Sequence, residues 1–118
     1  MPHVVLEGAV DLQRLCERFE PVVERWGDDL LKIQHLYRKQ RGEEVLLDTL
    51  VVESGHLQRF FIQVTRHEGS TVLRLLPQTD PEKTDGVKRA LARAAALVRE
   101  HAAGECRYGA TNLSEFLR

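Results

Sequence analysis

Cysteine is scarce in this chain of 118 residues: only Cys16 and Cys106 occur, in no redox or metal-binding spacing. A disulfide-stapled scaffold is thereby excluded, and a reducing, cytoplasmic compartment is the simplest expectation. Long apolar runs are also missing. No stretch approaches the ~20 apolar residues of a membrane span, so no membrane partner is expected. The start, Met1 to Glu7, has no basic flank and too short an apolar run for a signal peptide. Neither sign of charge dominates. With 17 Lys and Arg against 18 Asp and Glu the net charge is -1, which sets up no field for a polyanion and argues against nucleic acid. A glycine-rich phosphate loop, a nucleophile elbow, internal repeats and linkers are absent as well, which leaves one domain over 1–118. Such a length buries a sufficient core without metal or disulfide.

What the chain does have is a stretch of strands from Leu30 to Leu76. Leu31, Ile33, His35 and Tyr37 alternate with Lys32, Gln34, Leu36 and Arg38, the period of a strand with one wetter face. A turn follows with Gly42 at its tip, then Val45 to Glu53, apolar on both faces. Val45, Leu47 and Val51 line one side, and Leu46, Leu50 and Val52 the other. Ser54-Gly55 turns the chain into Leu57–His67, Glu68-Gly69 turns it into Thr71–Leu76, and Pro77 ends the run. Connections this short join antiparallel neighbours.

Helices flank the meander. Asp11 caps a stripe of Leu12, Leu15, Cys16, Phe19, Val22, Val23 and Trp26, which Pro21 should kink or divide at Glu20 and Gly27 should end. Trp26 reads there as core or interface. Thr79-Asp80-Pro81-Glu82 is one start signal for the second helix and Thr84-Asp85-Gly86 another. Val87, Leu91, Ala94, Ala95 and Val98 then form its stripe, Gly104 closes it, and an apolar tail with Tyr108, Leu113 and Phe116 should dock on the body or a neighbour. The expected fold is α+β: a two-layer sandwich, β-α-β-β-β-β-α, with a mainly antiparallel sheet and both helices on one face. The sheet's second apolar face then needs a cover from outside the chain, which predicts a homo-oligomer through that face.

Candidates for chemistry are few. His35, His56, His67 and His101 share no metal spacing, and no metal or other cofactor is expected. Cys16 on the apolar stripe reads as a packed thiol, and Cys106 has no evident base. Arg38-Lys39-Gln40-Arg41 reads as a solvated, edge-protecting turn. Arg59, Arg66 and Arg74 could hold a small carboxylate, with Arg66 and Arg74 meeting across the last hairpin, or pair with Glu53 and Glu68. Tyr37 or an arginine could stand at the mouth of a pocket between helices and sheet.

The amino end is the most specific feature. Met1-Pro2 is a site for methionine trimming, and an exposed Pro2 amine would have an unperturbed pKa of about 7.7–8.0, which burial and nearby cations lower towards a general base. Met1-Pro2-His3-Val4-Val5-Leu6-Glu7 with Asp11-Leu12 opening a helix, and Gly55-His56 before Phe61-Ile62-Gln63-Val64-Thr65, resemble the tautomerase superfamily in its 5-carboxymethyl-2-hydroxymuconate isomerase branch. The resemblance implies trimers of β-α-β units and an isomerase in which Pro2 shuttles a proton on an enol acid while arginines hold its carboxylate. The competing readings are a non-catalytic oligomeric interaction module and a small-molecule-binding domain.

Overall fold

The computed structural model describes residues 1–40, 43–102 and 104–117. The Gly42 turn and the Arg41 end of the basic tip lie outside them. One seven-stranded sheet carries the fold, in the order β2 (Val22–Trp26), β3 (Asp29–Arg38), β4 (Glu44–Glu53), β5 (His56–His67), β6 (Ser70–Leu75), β1 (His3–Glu7), β7 (Arg107–Thr111). Every pairing is antiparallel. Helices α1 (Leu12–Arg18) and α2 (Asp85–Arg99) pack on one face. The α+β class, the antiparallel meander and the placement of both helices agree with the sequence.

Two strands add to the expected order. Val22–Trp26 is an edge strand, not the end of the first helix. Proline at 21 biases Glu20 out of the helical region, Phe19 already leaves the helix at ψ 130, and two β-branched valines follow. Asp11 does cap α1, accepting from the Arg14 amide at 3.0 Å. The tail supplies the other addition: β7 pairs with β1, with a register shift between Val4 and Leu6. The strands that flank α1 stand five strands apart in the sheet, whereas β6 and β7, which flank α2, lie on either side of β1 and run parallel to one another.

A bulge redirects β3. Ile33 pairs with Thr49 and His35 with Asp48, so Gln34 is the extra residue. Strict alternation would keep His35 and Tyr37 on the face of Leu31 and Ile33. The bulge turns both to the other side and brings Leu36 to the helix side, opposite Leu47.

The core lies between the sheet's helix side and the two helices. Val45, Leu47 and Val51 of β4 are buried there with Phe60, Ile62, Leu73 and Leu91. Thr84, not Thr79, caps α2 and accepts from the Val87 amide at 3.3 Å. Thr79 is engaged elsewhere: its hydroxyl donates to the Leu76 carbonyl at 2.8 Å and accepts from the Phe61 amide. The following segment is held extended along β5 by Gln58, which accepts from the Glu82 amide at 2.8 Å.

The β4–β5 turn consists of Ser54 and Gly55 with φ of 50° and 76°, the left-handed pair of a tight hairpin. Replacing Gly55 with valine should lower stability by about 1–2 kcal/mol, because a β-branched residue resists that backbone conformation although its Cβ meets open space. Chemical denaturation checks this.

Candidate functional site

Two surfaces stand out. The first is the sheet face opposite the helices, which no element among the described residues covers. Cross-strand register arranges it in rows: Tyr37, Leu46, Gln63, Arg74 and His3 form one, and His35, Asp48 and Phe61 the next. Lys32, Leu50 and Arg59 form a third, and Leu30, Val52 and Leu57 a fourth. Leu46, Leu50 and Val52 are half-buried by their neighbours, and the apolar second face of β4 is therefore real. The exposed large hydrophobics, apart from Met1, are Val23, Tyr37 and Leu57 at 53–54% exposure, all on this face. The Tyr37 ring meets Phe61 edge-on at 6.2 Å and His35 at 6.3 Å. Between them the polar groups pair off: Arg59 lies 3.5 Å from Asp48, and Arg74 Nε donates to Gln63 Oε1 at 2.7 Å.

The sequence candidates are not gathered into one pocket. Tyr37 and Arg74 share a row but are three strands apart, roughly 14 Å at the usual spacing. Arg66 does not meet Arg74 across the hairpin. Arg66 stands opposite Thr71 and Arg74 opposite Gln63, positions of opposite parity that face opposite sides. Nor do the arginines pair with Glu53 and Glu68. Arg66 lies 3.6 Å from Glu43, and Glu53 is committed to α2. Pro2 is buried at the head of β1. Asn112 clamps its neighbours, accepting from the His3 amide at 3.0 Å and donating to the Met1 carbonyl at 2.7 Å.

The second surface is a cleft of about 860 Å³ on the outward side of α2. Trp26 from one edge of the sheet and Tyr108 from the other both reach it, so the sheet curls round the helix. Ala92 and Ala96 lie along the helix between them, and Phe116 of the tail closes one side. The Arg89 guanidinium sits 5.3 Å from the Trp26 ring centre and 6.0 Å from that of Phe116. Arg93 Nε donates to Glu24 Oε1 at 2.9 Å and ties α2 to β2. Trp26 thus packs against the margin of the core, but from a strand rather than a helix. Arg89 carried no signal of its own in the sequence, because the cleft exists only once Val22–Trp26 is an edge strand.

Burial raises the pKa of both thiols, offset in part by Arg38 at Cys16 and by Arg99 at Cys106. A thiol reagent attacks the thiolate, so labelling should be slow at neutral pH and keep accelerating beyond the ordinary thiol range of about 8.5. Cys16, half-buried, should react before Cys106, which is 7% exposed. Mass spectrometry of partially labelled protein checks the order. Among the described residues no three His, Cys, Asp or Glu side chains come together as a metal site, and no helix is long and apolar enough to cross a membrane.

Fold and surfaces together describe an antiparallel α+β domain with one open, partly apolar sheet face and a lateral cleft. No protein-family model matches the chain, and no solved structure matches it. It is similar to a tRNA (guanine-N(7)-)-methyltransferase of Aquifex aeolicus, 34% identical over 59 residues. That segment is 50% of this chain but 20% of the enzyme.

Proposed function

We propose that the protein is a non-catalytic interaction module whose open sheet face docks on the same face of a second copy. The observation that carries this is the gathering of Val23, Tyr37 and Leu57, large and exposed, on the one face where apolar Leu46, Leu50 and Val52 also lie. Apolar patches of that kind mark docking surfaces, and a two-fold axis lets one patch serve both partners. The molecule's longer dimensions, 39 and 29 Å, leave room for the ~800 Å² per partner of a standard interface. Sedimentation tests it: a dimer at micromolar concentration is expected, and a monomer at every concentration up to about 100 µM overturns it.

The match to a tRNA-modifying enzyme favours a second occupant of the same face, a single RNA strand. Bases would stack on Tyr37, Phe61 and His35, with Lys32, Arg59 and Arg74 towards the phosphates. This local arrangement is independent of the balanced total charge. Titration with a short unstructured RNA separates the two: salt-sensitive binding by a monomer favours the strand, and no binding by a dimer favours the second copy.

An isomerase role for Pro2 is a further reading, supported by the tautomerase resemblance of the first strand. It requires removal of Met1 and a small enol carboxylate as substrate. Intact mass of the natural protein decides the first requirement, and loss of enol-to-keto conversion in Pro2→Ala decides the second.

A further inference from the structure

We infer that the cleft across α2 binds a planar aromatic ring carrying one acidic group, the chemistry shared by an aromatic carboxylic acid and a nucleoside monophosphate. The anchor is Arg89. Three arginines of α2 turn towards aromatic or acidic neighbours at this end of the molecule, and two have their donors engaged. Arg93 donates to Glu24, and Arg99, stacked 4.8 Å from the Tyr108 ring, donates to the Cys106 carbonyl at 2.8 Å. Arg89 has no acceptor among the described residues, although two rings hold its flat face. A guanidinium oriented by stacking and left with open N–H edges is a fork for a carboxylate or phosphate, and the stacking lowers the entropy lost when the fork is used.

The rest of the cleft fits the other half of such a ligand. Its volume of about 860 Å³ falls in the range of small-molecule sites. Ala92 and Ala96 leave a shallow strip on which a ring can lie against the helix, within reach of Trp26, Tyr108 and Phe116. Charge favours an acid of one group. Glu24 is neutralised by Arg93, and Asp85 and Glu115 offset Arg25 and Arg89 in the same lining, so the cleft has no surplus of positive charge to hold a polyphosphate. Arg25 lines the cleft and continues the Leu30 row at the sheet's edge, but Arg89, Trp26 and the helix floor lie outside the rows of the open face, so the site stands or falls independently of the docking proposed there.

Trp26, the only tryptophan in the chain, lies in the cleft wall and reports occupancy directly. Its fluorescence should change saturably with phenylacetate or with adenosine 5′-monophosphate, and the tighter of the two identifies the source. Phenylacetamide and adenosine, which keep the ring and lose the acid, should bind at least about tenfold more weakly. Arg89→Lys keeps the charge and loses the fork, and a loss of about tenfold or more is expected; Ala96→Phe should abolish binding by occupying the floor, with unchanged circular dichroism in both variants. The inference is overturned if neither acid perturbs Trp26 up to about 10 mM, if the neutral analogues bind equally well, or if both folded variants bind like the parent.

Discussion

Leu50→Glu should yield a folded monomer at concentrations where the proposed docking makes the parent a dimer. Leu50 occupies the middle of the open face, between Lys32 on β3 and Arg59 on β5 in the same row. A carboxylate there has two cationic neighbours across the strands, and such pairs contribute roughly 0.2–1 kcal/mol each. The isolated domain should therefore tolerate it, with a melting temperature within a few degrees of the parent. The docked form cannot. A second copy would seal that carboxylate, and its symmetry mate, away from water, at a cost of several kcal/mol per ion. Each 1.4 kcal/mol is a tenfold change, so the dissociation constant should rise by at least ~100-fold. Val23→Glu, on the edge strand, should cost far less, because rim positions of an interface stay wet and central ones carry the energy. A Leu50→Glu variant that dimerises as the parent does would place the contact elsewhere. Equal effects of the two substitutions would also contradict a contact centred on β4.

The open face was legible in the sequence where a strand repeats every two residues and illegible where the repeat slips. Leu46, Leu50 and Val52 could be assigned to a second apolar side by counting alone. Tyr37 could not. Counting from Leu31 puts it on the helix side, and only the extra residue at Gln34 moves it and His35 to the open face. The edge strand β2 was hidden for a related reason: Leu12, Leu15, Phe19, Val22 and Trp26 share helical spacing, although Pro21 interrupts them and Val22-Val23 favours a strand. Without that strand Trp26 and Arg89 have no reason to meet, so the cleft could not be derived. Strand β7, Arg-Tyr-Gly-Ala-Thr, shows no alternation, since its pairing with β1 follows from tertiary placement and carries a register shift. Capping residues were the most readable local feature. Asp11 and Thr84 both act as their types demand, and the choice of Thr84 over Thr79 was settled by hydrogen bonds to β5 and to the Leu76 carbonyl that no local rule contains.

The start of α2 provides the strongest test of how the helix is held on the sheet. Gly86→Ala should destabilise the fold by about 2 kcal/mol, although alanine is the better helix former by ~1 kcal/mol. A Cβ at this position would run into the Glu53 carboxylate and into the Val51 side chain, which is 1% exposed. Glu53 can move only by giving up its bonds. It accepts from the Gly86 amide at 2.9 Å and from the Thr84 hydroxyl, the same hydroxyl that caps Val87. Displacing it leaves a half-buried carboxylate and two donors of the first turn without partners, a loss of roughly 1–3 kcal/mol. The mechanism predicts coupling. In a Glu53→Ala background the two bonds to Glu53 are already gone and the site is roomier, so adding Gly86→Ala should cost at least ~1 kcal/mol less than it does alone. A double-mutant cycle by chemical denaturation measures this. Additive costs would mean that the glycine is required by Val51 packing alone, and a stabilising Gly86→Ala would mean that the β4–α2 contact is looser than these distances imply.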